Sequence, residues 1–170
     1  MHPAPVDVIV PVYNEEAALP AFHRRLTGLD LPVRPIYIDN GSTDGSLRLL
    51  HSFAGAVVIE HATNEGYGAS LRDGIRRATA ERIVIIDADC EYPPEAIPEM
   101  VSRLDQADVV YASRFLEPQQ TRMGWLKVFG NRVITRLFNL LFHQQLTDLY
   151  TGAKAFRREV VAELPMEQNG

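Results

Sequence analysis

The sequence predicts an α/β fold built on a doubly wound, parallel sheet. Three observations carry that expectation. Short apolar runs alternate with amphipathic stretches along most of the chain, the β-α-β-α order of such sheets. The run Ile83 to Ile86 is β-branched without a break, as suits a strand buried on both faces. That run ends in three alternate acids, Asp87, Asp89 and Glu91, before Pro93 and Pro94 forbid further pairing and suit the first turn of a helix.

Val6 to Val12 reads as the first strand, and pairing should stop near Pro11, which cannot donate to a ladder. Asn14 suits a helix N-cap, with Glu15 and Glu16 in the first turn. Pro20 falls early in that helix, and Leu19, Phe22, Leu26 and Leu29 mark its core face. Ile36 to Ile38 is the second strand, closed by the turn-rich loop Asp39 to Ser46. Leu47, Leu50 and Phe53 suggest the next helix, and Ala56 to Ile59 the third strand. The glycine-broken loop Asn64-Glu65-Gly66-Tyr67-Gly68 precedes a helix of Leu71, Ile75 and Ala78. After the acidic strand end, Ile97, Met100, Val101 and Leu104 mark a helix, and Val109 to Ala112 a further strand. Right-handed crossovers put the strand ends on one edge, where open α/β sheets bind ligands. Pro11 to Glu15, Asp39 to Asp44 and Asp87 to Glu91 are therefore expected to converge.

Gly124 to Phe142 reads as one helix. Lys127, Asn131, Arg132, Thr135, Arg136 and Asn139 gather on one side, and Leu126, Phe129, Val133, Leu137, Leu140 and Leu141 on the other. This pattern suits an ordinary core helix with a solvated face, or an interfacial helix at a headgroup boundary. Thr147 to Lys154 is a second polar loop, with an acid and a base, and no element is evident beyond it.

A chain of 170 residues makes a single domain with a real core. The one cysteine, Cys90, rules out an internal disulfide and fits a reducing compartment. Met1 to Pro5 has no apolar core of a signal peptide, and no charge-free run of about 18 apolar residues suggests a transmembrane helix. The net charge of −5 is uneven: residues 1–113 carry 9 Lys/Arg against 17 Asp/Glu, and residues 114–158 carry 8 against 2. An acidic first part suits a metal and a basic second part suits phosphates or an anionic membrane surface. Duplex nucleic acid is not an expected partner of so acidic a domain. Three carboxylates at one rim repel each other unless a cation sits among them. Mg²⁺ or Mn²⁺ fits oxygen ligands there, with substrate phosphates completing the shell. The plainer alternative is a polar loop whose acids merely face water.

Four ordered pieces resemble the family 2 glycosyltransferases: Ile9-Val10-Pro11-Val12-Tyr13-Asn14-Glu15-Glu16, Asp39-Asn40-Gly41-Ser42-Thr43-Asp44-Gly45-Ser46, Asn64-Glu65-Gly66-Tyr67-Gly68 and Asp87-Ala88-Asp89. The resemblance implies the GT-A fold, a Rossmann-like, doubly wound, mainly parallel sheet flanked by helices. It also implies that residues 1–170 form one catalytic domain, cut short at its C-terminus relative to the family. Asp87-Ala88-Asp89 with Pro93-Pro94-Glu95, Ser113-Arg114-Phe115 and Thr151 to Arg158 look like the polyprenyl-phosphate sugar transferases. Two positions depart from the usual pattern. Asn40 stands where an aspartate is usual, and Glu91 stands where mannose synthases often have glutamine.

By this resemblance, Pro11, Tyr13, Glu15 and Asp39 hold the base and ribose of a nucleoside-diphosphate sugar. Asp87 steadies the ribose or the metal, and Asp87, Asp89 and Glu91 form the metal set for Mg²⁺ or Mn²⁺. Asp89, Arg114 and Lys154 are the expected catalytic residues, and Arg132 meets the acceptor phosphate. The implied reaction is inverting transfer of a hexose to a dolichyl or undecaprenyl phosphate, at the cytoplasmic face of a membrane with the enzyme peripherally bound. A lipid phosphate needs no general base because its oxygen is already anionic. None of the five histidines falls in a matched motif. The alternatives are a saccharide or protein acceptor, or a nucleotide-sugar-binding module without turnover. A plain dinucleotide-binding protein is disfavoured, since no Gly-x-Gly-x-x-Gly follows the first strand.

Overall fold

The computed structural model describes residues 5–113, 125–149 and 151–162. Its six strands are β1 (Val6–Val12), β2 (Val33–Asp39), β3 (Val57–Glu60), β4 (Arg82–Ile85), β5 (Val109–Tyr111) and β6 (Lys154–Arg157). The helices are α1 (Leu19–Thr27), α2 (Ser46–Ser52), α3 (Tyr67–Arg77), α4 (Ile97–Arg103), α5 (Trp125–Phe142) and α6 (Arg158–Ala162), with a 3-10 turn at Pro94–Ala96. Strand order is β3-β2-β1-β4-β6-β5. The first four strands are parallel, whereas β6 runs antiparallel to both β4 and β5. The chain winds outward from β1 to β3, then crosses to β4 on the other side of β1. That reversal opens a crevice between the carboxyl ends of β1 and β4, the usual ligand position in such sheets.

Alternation along the strands divides the core between the two faces. Val8, Val10, Tyr37 and Val84 pack with Phe22, Leu50 and Met100 from α1, α2 and α4. Ile9, Ile36, Ile38, Ile83 and Ile85 pack with Leu71 and Ile75 of α3 and with Val161 of α6. Gly74 lets α3 lie close: a Cβ there would come within 2.5 Å of Ile9 Cγ2 and 2.9 Å of Ile38 Cδ1. At the far end of the sheet, buried Asp7 anchors the frame. Its carboxylate accepts from Arg34 Nε and Nη2, each at 2.6 Å, and from the backbone N–H of Thr79 at 2.6 Å and Ala80 at 2.9 Å.

Pairing of β1 stops near Pro11 as expected: with β2 it ends at Val12 opposite Asp39, and with β4 at Ile9 opposite Ile85. Other expectations need correction. The first helix begins at Leu19, not after Asn14. Asn14 instead has φ +58°, and its side chain serves the neighbouring loop. The polar tail beyond Thr151 forms β6 and α6, and β6 fills the space between β4 and β5. Because β6 is antiparallel, it brings its start, not its end, to the ligand edge.

Helix α5 is inverted relative to the core-helix expectation. Asn131 and Thr135 are buried, at 5% and 3% exposure, while Phe129 and Leu140 are 64% and 73% exposed. The cause is Asp148, a buried carboxylate that must be hydrogen-bonded. Asn131 Nδ2 donates to it at 2.7 Å and Tyr92 Oη at 3.4 Å. Thr135 Oγ1 donates to Asn131 Oδ1 and accepts the N–H of Leu149. Asn139 bridges both backbone groups of Leu146. The row Asn131, Thr135 and Asn139 therefore faces the protein, while Arg132 and Arg136 stay exposed.

Candidate functional site

Two loops are stitched together at the carboxyl ends of β1 and β2. Asn14 Oδ1 accepts the N–H of Thr43 at 2.7 Å, and the Asn14 N–H donates to Ser42 Oγ at 3.0 Å. The Glu15 N–H donates to Ser46 Oγ at 2.9 Å, and that of Glu16 to Asp44 Oδ2 at 3.2 Å. Glu16 Oε2 accepts the Gly45 N–H at 2.9 Å, and a Cβ at Gly45 would run into that carboxylate. Pro11 lies half-buried at the end of β1, and Tyr13 beyond it exposes its ring.

Asp39 ends β2 and is buried. Its Oδ2 accepts the Ser42 N–H at 3.1 Å, while its Oδ1 is a buried acceptor with no partner among the described residues. Buried acceptors are rarely left unpaired, so this atom marks a place for a donor group from elsewhere.

Across the crevice, β4 delivers Asp87 and Asp89. Asp87 is half-buried, and its Oδ1 accepts from Tyr67 Oη at 3.0 Å. Gly152 presses against its Oδ2, where a Cβ would collide. Burial holds the Asp87 carboxyl above its ordinary range; the charges of Asp89 and Glu91 add to this, against the Tyr67 bond and the charge of Lys154. Burial, then the charges of Asp89, Asp44 and Asp87, likewise raises Glu15. The crevice is thus a region of crowded negative charge joining both loops. Tyr67 feels it too: burial and the Asp87 charge push its hydroxyl up.

Asp89 and Glu91 are exposed, and Asp89 Oδ1 accepts the N–H of Glu91 at 2.9 Å. Between them Cys90 has φ +60°, a left-handed conformation that turns the chain. Among the described residues, no group of three His, Cys, Asp or Glu side chains forms that could hold a metal ion. The expected set of Asp87, Asp89 and Glu91 is therefore not a closed cage. Asp87 is committed to Tyr67 and Asp89 to the backbone of its own turn. Hard oxygen ligands amid crowded negative charge still suit Mg²⁺ or Mn²⁺, which commonly take one or two carboxylates and fill the shell with phosphate and water.

Lys154 opens β6 opposite Ile85, close enough to act on Asp87, with its Nζ 5.6 Å from the centre of the Tyr111 ring. Arg114 lies outside the described residues. Arg132 lies on the exposed side of α5, next to Asn131. The structure thus brings together Pro11, Tyr13, Glu15, Asp39, Asp87, Asp89, Glu91 and Lys154 along one edge, with Arg132 on a separate element. Tyr67 and Gly152, which meet Asp87, are not among the residues the sequence assigns to the site. Tyr67 carries a signal, since it sits in the glycine-broken loop Asn64 to Gly68. Asp148, the acid of the Thr147 to Lys154 loop, anchors α5 through Asn131.

Comparison with known proteins agrees with this geometry. The model of glycosyl transferase family 2 matches residues 7–164. The undecaprenyl-phosphate 4-deoxy-4-formamido-L-arabinose transferase of Enterobacter sp. (strain 638) is 32% identical over 168 residues, covering 92% of this chain and 50% of that protein. The chain thus spans about half the length of that curated relative. Among solved structures, a mannosyltransferase from Pyrobaculum calidifontis in complex with GDP-Man and Mn²⁺ superposes with a TM-score of 0.71 at 22% identity. The match covers 98% of this chain and 49% of that one. Glucosyl-3-phosphoglycerate synthase from Mycobacterium tuberculosis, with Mn²⁺, UDP-glucose and phosphoglyceric acid, gives 0.72 at 23% identity, covering 95% and 59%. Both neighbours share the mostly parallel sheet flanked by helices of the GT-A fold. With nearly its whole length matched by the family model and its acids gathered at the sheet's switch point, this chain belongs to glycosyl transferase family 2.

Proposed function

We propose that this domain transfers a hexose from a nucleoside-diphosphate sugar to a polyprenyl phosphate, with inversion and with Mg²⁺ or Mn²⁺. The observation that carries the donor half is Asp39 Oδ1, a buried and unpartnered acceptor beside a crevice of crowded carboxylates. It accepts a hydrogen bond from the base or ribose. Pro11, Tyr13 and Glu15 form the opposite wall of the nucleotide pocket. Asp87, oriented by Tyr67, steadies the ribose or the metal's surroundings, and Asp89 and Glu91 offer carboxylate oxygens to the cation. When bound, the ion acts as a Lewis acid toward charge developing on the leaving diphosphate. Lys154 supplies a positive charge on the same side, and Arg114 is assigned to the donor phosphates.

The acceptor half is supported by the similarity to a transferase named for undecaprenyl phosphate. A phosphate oxygen is anionic at neutral pH, so it attacks the sugar carbon without a general base. Helix α5 supplies what a lipid phosphate needs. It joins Arg132 to an apolar face that is exposed at Phe129, Leu137, Leu140, Leu141 and Phe142. Among the described residues no helix is long and apolar enough to cross a membrane. In this proposal the domain rests on the cytoplasmic face of a membrane through the exposed apolar face of α5.

Calorimetric titration of UDP, GDP, ADP, CDP and TDP with Mn²⁺ tests the donor half. One of them binds wild-type protein, and Asp39→Ala weakens it by about 1.5–3 kcal/mol, the scale of a hydrogen bond to a charged group. An unchanged dissociation constant in that variant would place the nucleotide elsewhere.

A further inference from the structure

We propose that His61 is a positioning residue of the donor site, acting through Asn40 to lock the loop after β2 onto the loop after β3. The inference rests on the donor reading above and adds a residue that touches no substrate. Asn40 follows Asp39 and is buried. Its Oδ1 accepts the Glu65 N–H at 2.9 Å, and its Nδ2 donates to Asn64 Oδ1 at 3.0 Å. Asn64 Oδ1 also accepts the Gly66 N–H at 2.9 Å. Backbone N–H groups can only donate, so these contacts fix which way both amides point. His61 Nδ1, 3.0 Å from Asn40 Oδ1, must therefore be a donor.

The ring meets α3 on its other side. His61 Nε2 lies 3.2 Å from Asp73 Oδ2 on α3, and Asp73 is in turn paired with Arg72 and Arg76. The His61 backbone N–H donates to Asp39 O at 2.9 Å. His61 thus grips both the main chain of the residue with the unpartnered oxygen and the side chain of the next. The two loops touch through their backbones as well. Gly41 has φ +72°, and a Cβ there would come within 2.5 Å of Thr63 C and 2.8 Å of Asn64 N. One loop carries Asp39, and the other leads into Tyr67, which holds Asp87. A slip between them displaces both walls of the crevice.

The lock also accounts for asparagine at position 40. An aspartate would set a carboxylate oxygen against Asn64 Oδ1, whose role is fixed by Gly66. Asn40 points inward and is a latch between loops, not a ligand for the nucleotide.

The test uses three variants of the whole chain. His61→Asn keeps a donor near the Nδ1 position, His61→Gln keeps one near Nε2, and His61→Ala keeps neither. Two measurements follow on each: amide hydrogen exchange at Glu65 and Gly66, and titration of nucleoside diphosphates with Mn²⁺. The Ala and Gln variants are expected to exchange faster at both amides and to bind about 3- to 10-fold more weakly, the size of one neutral hydrogen bond. The Asn variant is expected to match wild type in both. Asn40→Asp is expected to behave like His61→Ala. Equal affinity across the His61 series, or Asn and Gln variants that cannot be told apart, overturns the proposal, even if all melt earlier. Wild-type protein that binds no nucleoside diphosphate overturns the donor reading and the positioning role with it, and the exchange pattern then shows whether the loop lock itself exists.

Discussion

Gly152→Ala tests the centre of the site with a single methyl group. The residue lies outside the left-handed region, so the backbone accepts alanine without strain. The obstacle is Asp87, whose Oδ2 sits where the new Cβ would be, with Cγ only 3.1 Å away and Tyr92 Cε2 at 3.6 Å. Ordinary contact between heavy atoms begins at about 3.5 Å, so the carboxylate must retreat by roughly 1 Å. Tyr67 donates to the other oxygen, Oδ1, at 3.0 Å, and a retreat of the whole carboxylate is expected to stretch that bond past hydrogen-bonding distance. Loss of a hydrogen bond to a charged group costs about 1.5–3 kcal/mol, or about 10- to 150-fold in a binding constant if Asp87 serves the donor. Titration of the preferred nucleoside diphosphate with Mn²⁺ measures this, and thermal unfolding controls for the fold. Wild-type affinity with a wild-type melting curve would refute the reasoning, because Asp87 would then be free to move without consequence.

Three further outcomes follow from charge and exposure. Burial and the neighbouring carboxylates raise Asp87 above its unfolded value, so its contribution to stability is full below the ordinary carboxylate range and is lost as pH rises through its folded pKa. Asp87→Asn is therefore expected to melt higher than wild type at pH 7 and to converge with it at acid pH; a lower melting temperature at pH 7 contradicts the assignment. Asp7 behaves oppositely: burial alone would raise it, but the hydrogen bonds from Arg34, Ala80 and Thr79 prevail and hold it low, so its contribution is lost as pH falls through its folded pKa. On α5, Leu140→Asp with Leu141→Asp is expected to leave unfolding unchanged, since both side chains are exposed, and to abolish co-sedimentation with anionic vesicles. Retained vesicle binding would remove the membrane role of that face.

Much of the fold was legible because local pattern and burial agree there. The β-branched runs of β1, β2 and β4 can only be interior strands, and the helices between them show one apolar stripe each. Asp39, Asp87 and Asp89 were legible as a group because parallel strands share an edge. Helix α5 was not, because its periodicity shows two faces but not which one meets the protein. That choice was made by Asp148, beyond the end of the helix, whose buried carboxyl group takes the Asn131 amide as its partner. The short β6 was missed because Lys154-Ala155-Phe156-Arg157 has no strand signal strong enough to stand without the β4 and β5 edges that flank it.

By itself the sequence determined a parallel, doubly wound core, the edge where its ligands gather and the charge that edge bears, since all three follow from residues adjacent along the chain. Only the tertiary structure decided that Asn40 faces inward, that Tyr67 and Gly152 frame Asp87, and that α5 turns its apolar side outward. Each of these depends on a hydrogen-bond partner or a close approach supplied by another part of the chain. No local pattern encodes which of two distant polar groups will be left needing the other.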